Sequence, residues 1–474
     1  MMRDRRFWLL CGAALLIRLL LLPLPEPIDF DLAYFFFPWM RYSASHSLVE
    51  LYQFGEPLVD YPPLFLVQLV GLSKLYARFV PSLEITPLQY ALIKLPSAAA
   101  DLAIGAVLYL AVAGIEERRS RAETARPRPD GQPSRLPLLA AGLWLLNPAV
   151  IYVSSIWGQF DSLQALGMMA ALLAAARKRW GWSGIFLGLA LLTKTQALTI
   201  VPLLALLAWR SGWRALLRWG GAAAALLAAG LLPIWLGGAG QSLLTIYVKA
   251  VGRYPAMSMN AYNPWFIAHI RTRELLGYWV EDSTALLGPL TIRHVGMALT
   301  IGYALLVLFV LFRRWQTPAG PTQSGDRSEQ KARSEPAADA IQQIGTFFAA
   351  GLLIFGFFIL ATEMHERYIL PALAPLAVAA ALLRPARLPF LLLSLTVFLN
   401  LIHVLPLTRA QLQLMERLPD IRFALSAANT ALLVWWTWLF VRGERGGAAR
   451  PAAAELANQT DEVTTSDGLA TLSD

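Results

Sequence analysis

Long apolar runs follow one another along almost the whole chain, at residues 7–24, 88–113, 137–153, 161–176, 182–192, 197–209, 215–236, 288–312, 344–362, 369–384, 388–405 and 424–441. They are separated by short polar stretches, and most are long enough to cross the apolar core of a bilayer as a helix. The pattern predicts an all-α polytopic membrane protein with about twelve transmembrane helices in one bundle over residues 1–450. A charged segment rich in Pro and Ser at 313–343 reads as a cytoplasmic linker. The composition of 451–474 reads as a disordered tail.

The basic residues orient the runs, because Lys and Arg are kept on the cytoplasmic side. Arg3, Arg5 and Arg6 precede the first run, and Arg118, Arg119, Arg121, Arg126, Arg128 and Arg135 follow the second. Only one crossing fits between residues 62 and 113, so 64–80 is expected to be an interfacial or re-entrant helix carrying Lys74 and Arg78 on one side. Arg177, Lys178 and Arg179 before residue 182, with Arg210, Arg214 and Arg218 beyond 209, demand a hairpin of two short helices that meet at Thr193-Lys194-Thr195-Gln196. Both termini are then cytoplasmic, in a plasma (inner) membrane.

Composition agrees with this reading: 57% of residues are hydrophobic and 15% charged, and the mean hydropathy is +0.51. The net charge of +9 comes from Arg clusters at run ends, so it marks membrane anchoring and no nucleic-acid partner. The single cysteine, Cys11, can close no intramolecular disulfide.

With the helices oriented, the polar residues gather at the outer face. They are Asp29 and Asp31, Asp60-Tyr61-Pro62-Pro63, Trp157-Gly158-Gln159-Phe160-Asp161, Lys194 with Gln196, Asn260 to Trp265, and His365-Glu366-Arg367-Tyr368. Charges kept close to hydrocarbon are costly and mark a site. Paired carboxylates suit the deprotonation of an attacking hydroxyl or the binding of a divalent metal, and the cations suit a departing phosphate. Plainer readings stand beside these. Asp29 and Asp31 are equally readable as solvated loop charges, and Asp161 as a helix N-cap. Lys94 and Asp101, seven apart, are expected to form a buried structural pair. His46, His269, His294 and His403 stand alone, and no spacing resembles a zinc site.

In their order along the chain, these motifs, with Ala100-Asp101-Leu102 and Lys194-Thr195-Gln196-Ala197, resemble the GT-C fold glycosyltransferases. The resemblance is closest to the bacterial relatives of the GPI-anchor mannosyltransferases. It implies an inverting transferase that moves a hexose, mannose foremost, from a polyprenyl-phosphate-linked donor to a lipid or glycan acceptor at the non-cytoplasmic face, amid membrane lipids. It further implies helices lying along the membrane in the first outer loop, with Asp31 or Asp29 as the base. Lys194, Gln196, His365 and Arg367 become candidates for the donor phosphate, and Asp161, Gln159, Glu366, Tyr61 and Asn263 for sugar or acceptor positioning. Metal use varies among such enzymes, so Mg or Mn on Asp29 and Asp31 stays open. The rings of Tyr34, Phe35, Phe36, Phe37 and Trp39 are expected to seat at the headgroup level and hold the carboxylates there. The rival reading is a transporter or lipid flippase built on its broken hairpin and in-membrane charges, against which stands the lack of an internal repeat.

Overall fold

The apolar runs fold as helices, and polar residues mark where these helices stop. The computed structural model describes residues 4–28, 31–55, 59–122, 134–248, 250–316, 327–408, 411, 413 and 420–443. Helix α1 (Arg5–Leu21) starts on the Asp4 side chain, which accepts the Arg6 N–H. The segment after α1 carries a π-helical stretch at Leu32–Phe36, then α2 (Phe37–Ser43), α3 (Leu48–Tyr52) and α4 (Pro63–Phe79). Next come the long α5 (Pro87–Ala122), then α6 (Leu136–Leu145) and α7 (Pro148–Ile151), which runs into a second π-helical stretch at Tyr152–Trp157.

The hairpin foreseen around Lys194 is present. After α8 (Asp161–Ala176), α9 (Trp180–Thr193) ends at Lys194, whose backbone is extended, and the chain returns through a 3-10 turn at Thr195–Ile200 into α10 (Val201–Arg210). There follow α11 (Trp213–Ile234), α12 (Gly240–Val248), α13 (Pro264–Leu276), α14 (Ile292–Gln316), α15 (Arg327–Leu360), α16 (Leu370–Leu382), α17 (Arg387–Val404) and α18 (Arg422–Arg442). The few strands are short. β1 (Ser258–Met259) pairs in parallel with β4 (Met364–His365), and β2 (Ala285–Leu287) forms a hairpin with β3 (Leu290–Thr291).

All twelve apolar runs are helical, but fewer than twelve helices are long enough to span a membrane. Among the described residues, 6 helices are long and apolar enough to cross a membrane, or 7 if the pair Leu136–Leu145 and Pro148–Trp157, bent by 43°, makes one span. Helices α8, α9 and α16 are shorter. Every residue of α16 is buried, so its neighbours in the bundle, rather than lipid, satisfy its apolar surface and no full bilayer length is required.

The bundle is two-ended, as the arginine pattern requires. Arg118 and Arg179 both come close enough to Arg177 to act on it electrostatically. Arg210 lies 4.7 Å over the Trp315 ring, and Arg314 4.7 Å over the Phe440 ring. Helices α1, α5, α8, α9 and α10 each run from this basic end to the end that holds Asp31, Asp161 and Lys194, or back.

Several expectations need correction. Rings 34–39 do not form one headgroup belt: Tyr34 and Phe35 are exposed, whereas Phe36, Phe37 and Trp39 are buried. Phe36 packs on Phe65 at 5.0 Å, Phe65 stacks on Phe160 at 3.7 Å, and Tyr61 closes edge-on over Phe160 at 4.7 Å. These rings bind the segment after α1 to α4 and to the start of α8, because an aromatic packed on aromatics gains more than one left at the surface. Helix α4 is two-faced, with Phe65, Leu66, Leu69 and Tyr76 buried and Lys74, Leu75, Arg78 and Phe79 exposed. Lys94 and Asp101 are not partners: Asp101 pairs with Arg18 of α1 at 3.0 Å, and Lys94 donates to the Leu24 carbonyl at 2.8 Å. The linker over 313–343 is narrower than expected, since α14 continues to Gln316 and α15 starts at Arg327. Residues 451–474 lie outside the described residues.

Candidate active site

At the end of the bundle opposite the arginines, five ionic side chains from four segments converge. Asp31 opens the helical run 31–43, Asp161 is the first residue of α8, Lys194 sits at the hairpin break, and Glu366 and Arg367 lie between β4 and α16. Lys194 Nζ meets Asp161 Oδ1 at 2.6 Å, and Arg367 Nη1 meets Glu366 Oε1 at 2.8 Å. Arg367 Nη2 stands 3.9 Å from Asp31 Oδ2, and its Nε 3.7 Å from Asp161 Oδ2. The two cations thus bridge three carboxylates in a region nearly cut off from water, where an unpaired charge would be very costly.

Asp31 differs from the others. Its side chain is 13% exposed, against 1% for Asp161, 3% for Lys194, 6% for Arg367 and 2% for Glu366. Its Oδ2 accepts the Trp157 indole N–H at 3.1 Å and the Gln159 amide at 2.5 Å. Among the described residues no donor reaches Oδ1. Trp157 closes the second π-helical stretch, and Gly158 follows with φ +86°, a left-handed conformation that suits glycine. That turn delivers Trp157 and Gln159 to the same carboxylate oxygen. The Trp157 ring also takes the Arg367 guanidinium at 5.3 Å.

The remaining candidates divide. Tyr61 lies in the aromatic wall beside the cluster. Gln159 is in it, and its Oε1 has no donor among the described residues; the same holds for Gln196 Oε1 in the 3-10 turn. Asn263 is not available for a sugar: its Oδ1 accepts the Phe266 N–H, its Nδ2 donates to the Phe358 carbonyl, and it is fully buried as the cap of α13. His365 is no cation. Desolvation, then the charges of Arg367 and Lys194, push its imidazole well below its usual value. Asp29 lies outside the described residues. Asp31 Oδ2 already takes two N–H donors, and among the described residues no three His, Cys, Asp or Glu stand together to hold a divalent metal.

The sequence matches the family model described as glycosyltransferase family 87 over residues 61–325, more than half of the chain. The chain belongs to glycosyltransferase family 87. No curated protein matches it. In this family 87 glycosyltransferase the matched region contains Tyr61, Gln159, Asp161 and Lys194, while Asp31 and Arg367 reach the same cluster from outside the match.

Sequence reading missed a second ionic group in the loops above this site. Asp282, fully buried, takes Arg293 at 2.7 Å and the Thr362 hydroxyl at 2.7 Å, and Arg293 also meets Glu363 at 3.0 Å. Asp60 receives Arg253 at 3.1 Å and the Tyr254 hydroxyl at 2.9 Å. Only proximity reveals these groups, because Asp60 and Arg253 stand 193 residues apart, and Asp282 and Thr362 80. Burial, then the Asp282 charge, pushes the Glu363 carboxyl up from 4.5 to about 7. From 4.5 to about 7 the folded glycosyltransferase therefore holds a proton that the unfolded chain has lost, and stability falls as pH rises through this window and levels off above it. In thermal melts of the purified protein, the midpoint is expected to fall between pH 5 and 7.5, and Glu363→Gln to flatten that slope. An equal slope in the variant would locate the proton elsewhere.

Proposed function

We propose that this glycosyltransferase moves a hexose, mannose foremost, from a polyprenyl-phosphate-linked donor to a lipid or glycan acceptor at the non-cytoplasmic face of the plasma membrane. Asp31 takes the proton of the acceptor hydroxyl, whose oxygen attacks the anomeric carbon. The bond from that carbon to the phosphate oxygen breaks, and polyprenyl phosphate leaves. One displacement inverts the anomeric centre. Arg367 and Lys194 neutralise the departing phosphate, and the partnerless carbonyl oxygens of Gln159 and Gln196 suit sugar hydroxyls. Asp161 and Glu366 keep the two cations in place before the donor arrives, and Tyr61 walls the site.

What carries this reading is the setting of Asp31. It is the most open carboxylate of the cluster, with its donors on one oxygen and the cations that suit a phosphate beside it. Arg367 Nε supports it further, as a buried donor without a hydrogen-bond acceptor among the described residues, free for a phosphate oxygen.

The test is direct. Purified protein in lipid nanodiscs is given a panel of synthetic polyprenyl-phosphate hexoses and a membrane glycolipid extract, and the products are read by mass spectrometry. Release of polyprenyl phosphate with a hexose gained by an acceptor is the expected result. Turnover of a nucleotide sugar with none of the panel consumed would sink the proposal.

A further inference from the structure

The Asp31 carboxylate is aimed by its own backbone, and that backbone is held by a second carboxylate. Asp31 N–H donates to Glu26 Oε1 at 3.1 Å, and Leu32 N–H donates to Glu26 Oε2 at 3.1 Å. Glu26 thereby caps the first two amides of the helical run 31–43, from a loop position several residues upstream. It does so while buried, at 5% exposure. Serine or asparagine would cap the same amides without the cost of a buried charge.

Lys94 supplies the opposite charge. It is fully buried on α5, it attracts Glu26, and its ammonium donates to the Leu24 carbonyl at 2.8 Å. One lysine thus fixes the backbone at residue 24 and balances the charge at residue 26. From the other side, Gly158 leaves no room to spare: a Cβ there would stand 3.1 Å from Leu32 and 3.2 Å from Lys94 Cγ. The turn that presents Trp157 and Gln159 to Asp31 therefore runs close against Leu32 and Lys94, and a residue larger than glycine would push one of them away from the Glu26 cap.

We infer that Glu26 and Lys94 form a positioning pair for this glycosyltransferase, which sets the depth and rotation of the Asp31 carboxylate without touching substrate; the inference rests on Asp31 acting as the base. The pair ties the loop after α1 to α5 through the Lys94–Leu24 hydrogen bond, with the Glu26 charge nearby, whereas the aromatic wall ties it through packing alone.

The experiment uses Glu26→Gln and Lys94→Met in the full-length protein in nanodiscs. Turnover is read with the synthetic polyprenyl-phosphate hexose that wild-type protein consumes best, binding with polyprenyl phosphate alone, and local order by amide exchange in the peptide around residues 31–36. The expected result is a fall in kcat of about 100-fold, the usual consequence of a misplaced reactive group. Affinity for polyprenyl phosphate should stay within about twofold of wild type, and exchange at Asp31 and Leu32 should be faster. A merely structural pair would instead lower affinity and kcat together. That outcome, or wild-type kcat in both variants, overturns the inference. If Asp31→Asn keeps the wild-type rate, the reading of Asp31 itself fails; if Asp31→Asn is inactive but Glu26→Gln is not impaired, only the positioning pair fails.

Discussion

Replacing Asp31 by Asn is expected to lower sugar transfer by about 10²- to 10⁴-fold, the share of rate that a positioned general base contributes, while the protein remains folded. Asn keeps an oxygen that can accept from Trp157 and Gln159, which are the two hydrogen bonds that hold the side chain. Arg367 loses only a 3.9 Å contact and retains Glu366 at 2.8 Å. The measurement is kcat with the best donor of the panel, beside a thermal midpoint to show that the fold is kept. Wild-type turnover would remove Asp31 from the chemistry. Loss in Asp29→Asn but not in Asp31→Asn would transfer the base to the neighbouring carboxylate.

The largest effect on stability is expected at Arg18. Both Arg18 and Asp101 are fully buried; Arg18 Nε donates to Asp101 at 3.0 Å and Nη1 donates to the carbonyls of Ala14 and Leu145 at 3.1 and 3.0 Å. Ser162 at the start of α8 donates to the other Asp101 oxygen at 2.6 Å. This knot ties α1, α5, α6 and α8 together directly below the active cluster. Arg18→Met should cost about 3–5 kcal/mol, because it leaves the Asp101 carboxylate in the interior without its countercharge. Adding Asp101→Asn should recover much of that loss, since the orphaned charge goes with it. Unfolding in mixed micelles measures both. A cost in the single variant that Asp101→Asn does not relieve would mean that the arginine matters for its packing rather than for its charge.

Much of this was legible before any coordinates, for physical reasons that differ from place to place. The helices were legible because apolar length sets membrane helices, and the Lys194 hairpin because arginines on both flanks allow nothing else. The gathering of Asp31, Asp161, Lys194 and Arg367 followed from sidedness combined with family resemblance. The pairing inside it did not. Lys94 and Asp101 are correctly spaced for one helix face, yet each found a partner on another segment, since a burial-driven partner is set by packing between helices and not by spacing along one. Arg18, a lone charge within an apolar run, was passed over in the sequence, although such a charge calls for a buried partner. A capping asparagine and a ligand-binding one look alike in sequence, so the burial of Asn263 as the cap of α13 was not legible there.

The excursion between α12 and α14 is anchored at both feet. The β1–β4 pairing holds Ser258 and Met259 to Met364 and His365, and Asp282 with Arg293 closes the return. Beyond those anchors, the β2–β3 hairpin projects Leu286 and Leu287 into the open, with Gly288 at its tip meeting nothing. Length added at that tip is insulated from the bundle below. The hairpin is therefore a natural graft point: a rigid epitope spliced there gives an imaging handle on a protein otherwise sunk in lipid, with the chemistry left intact.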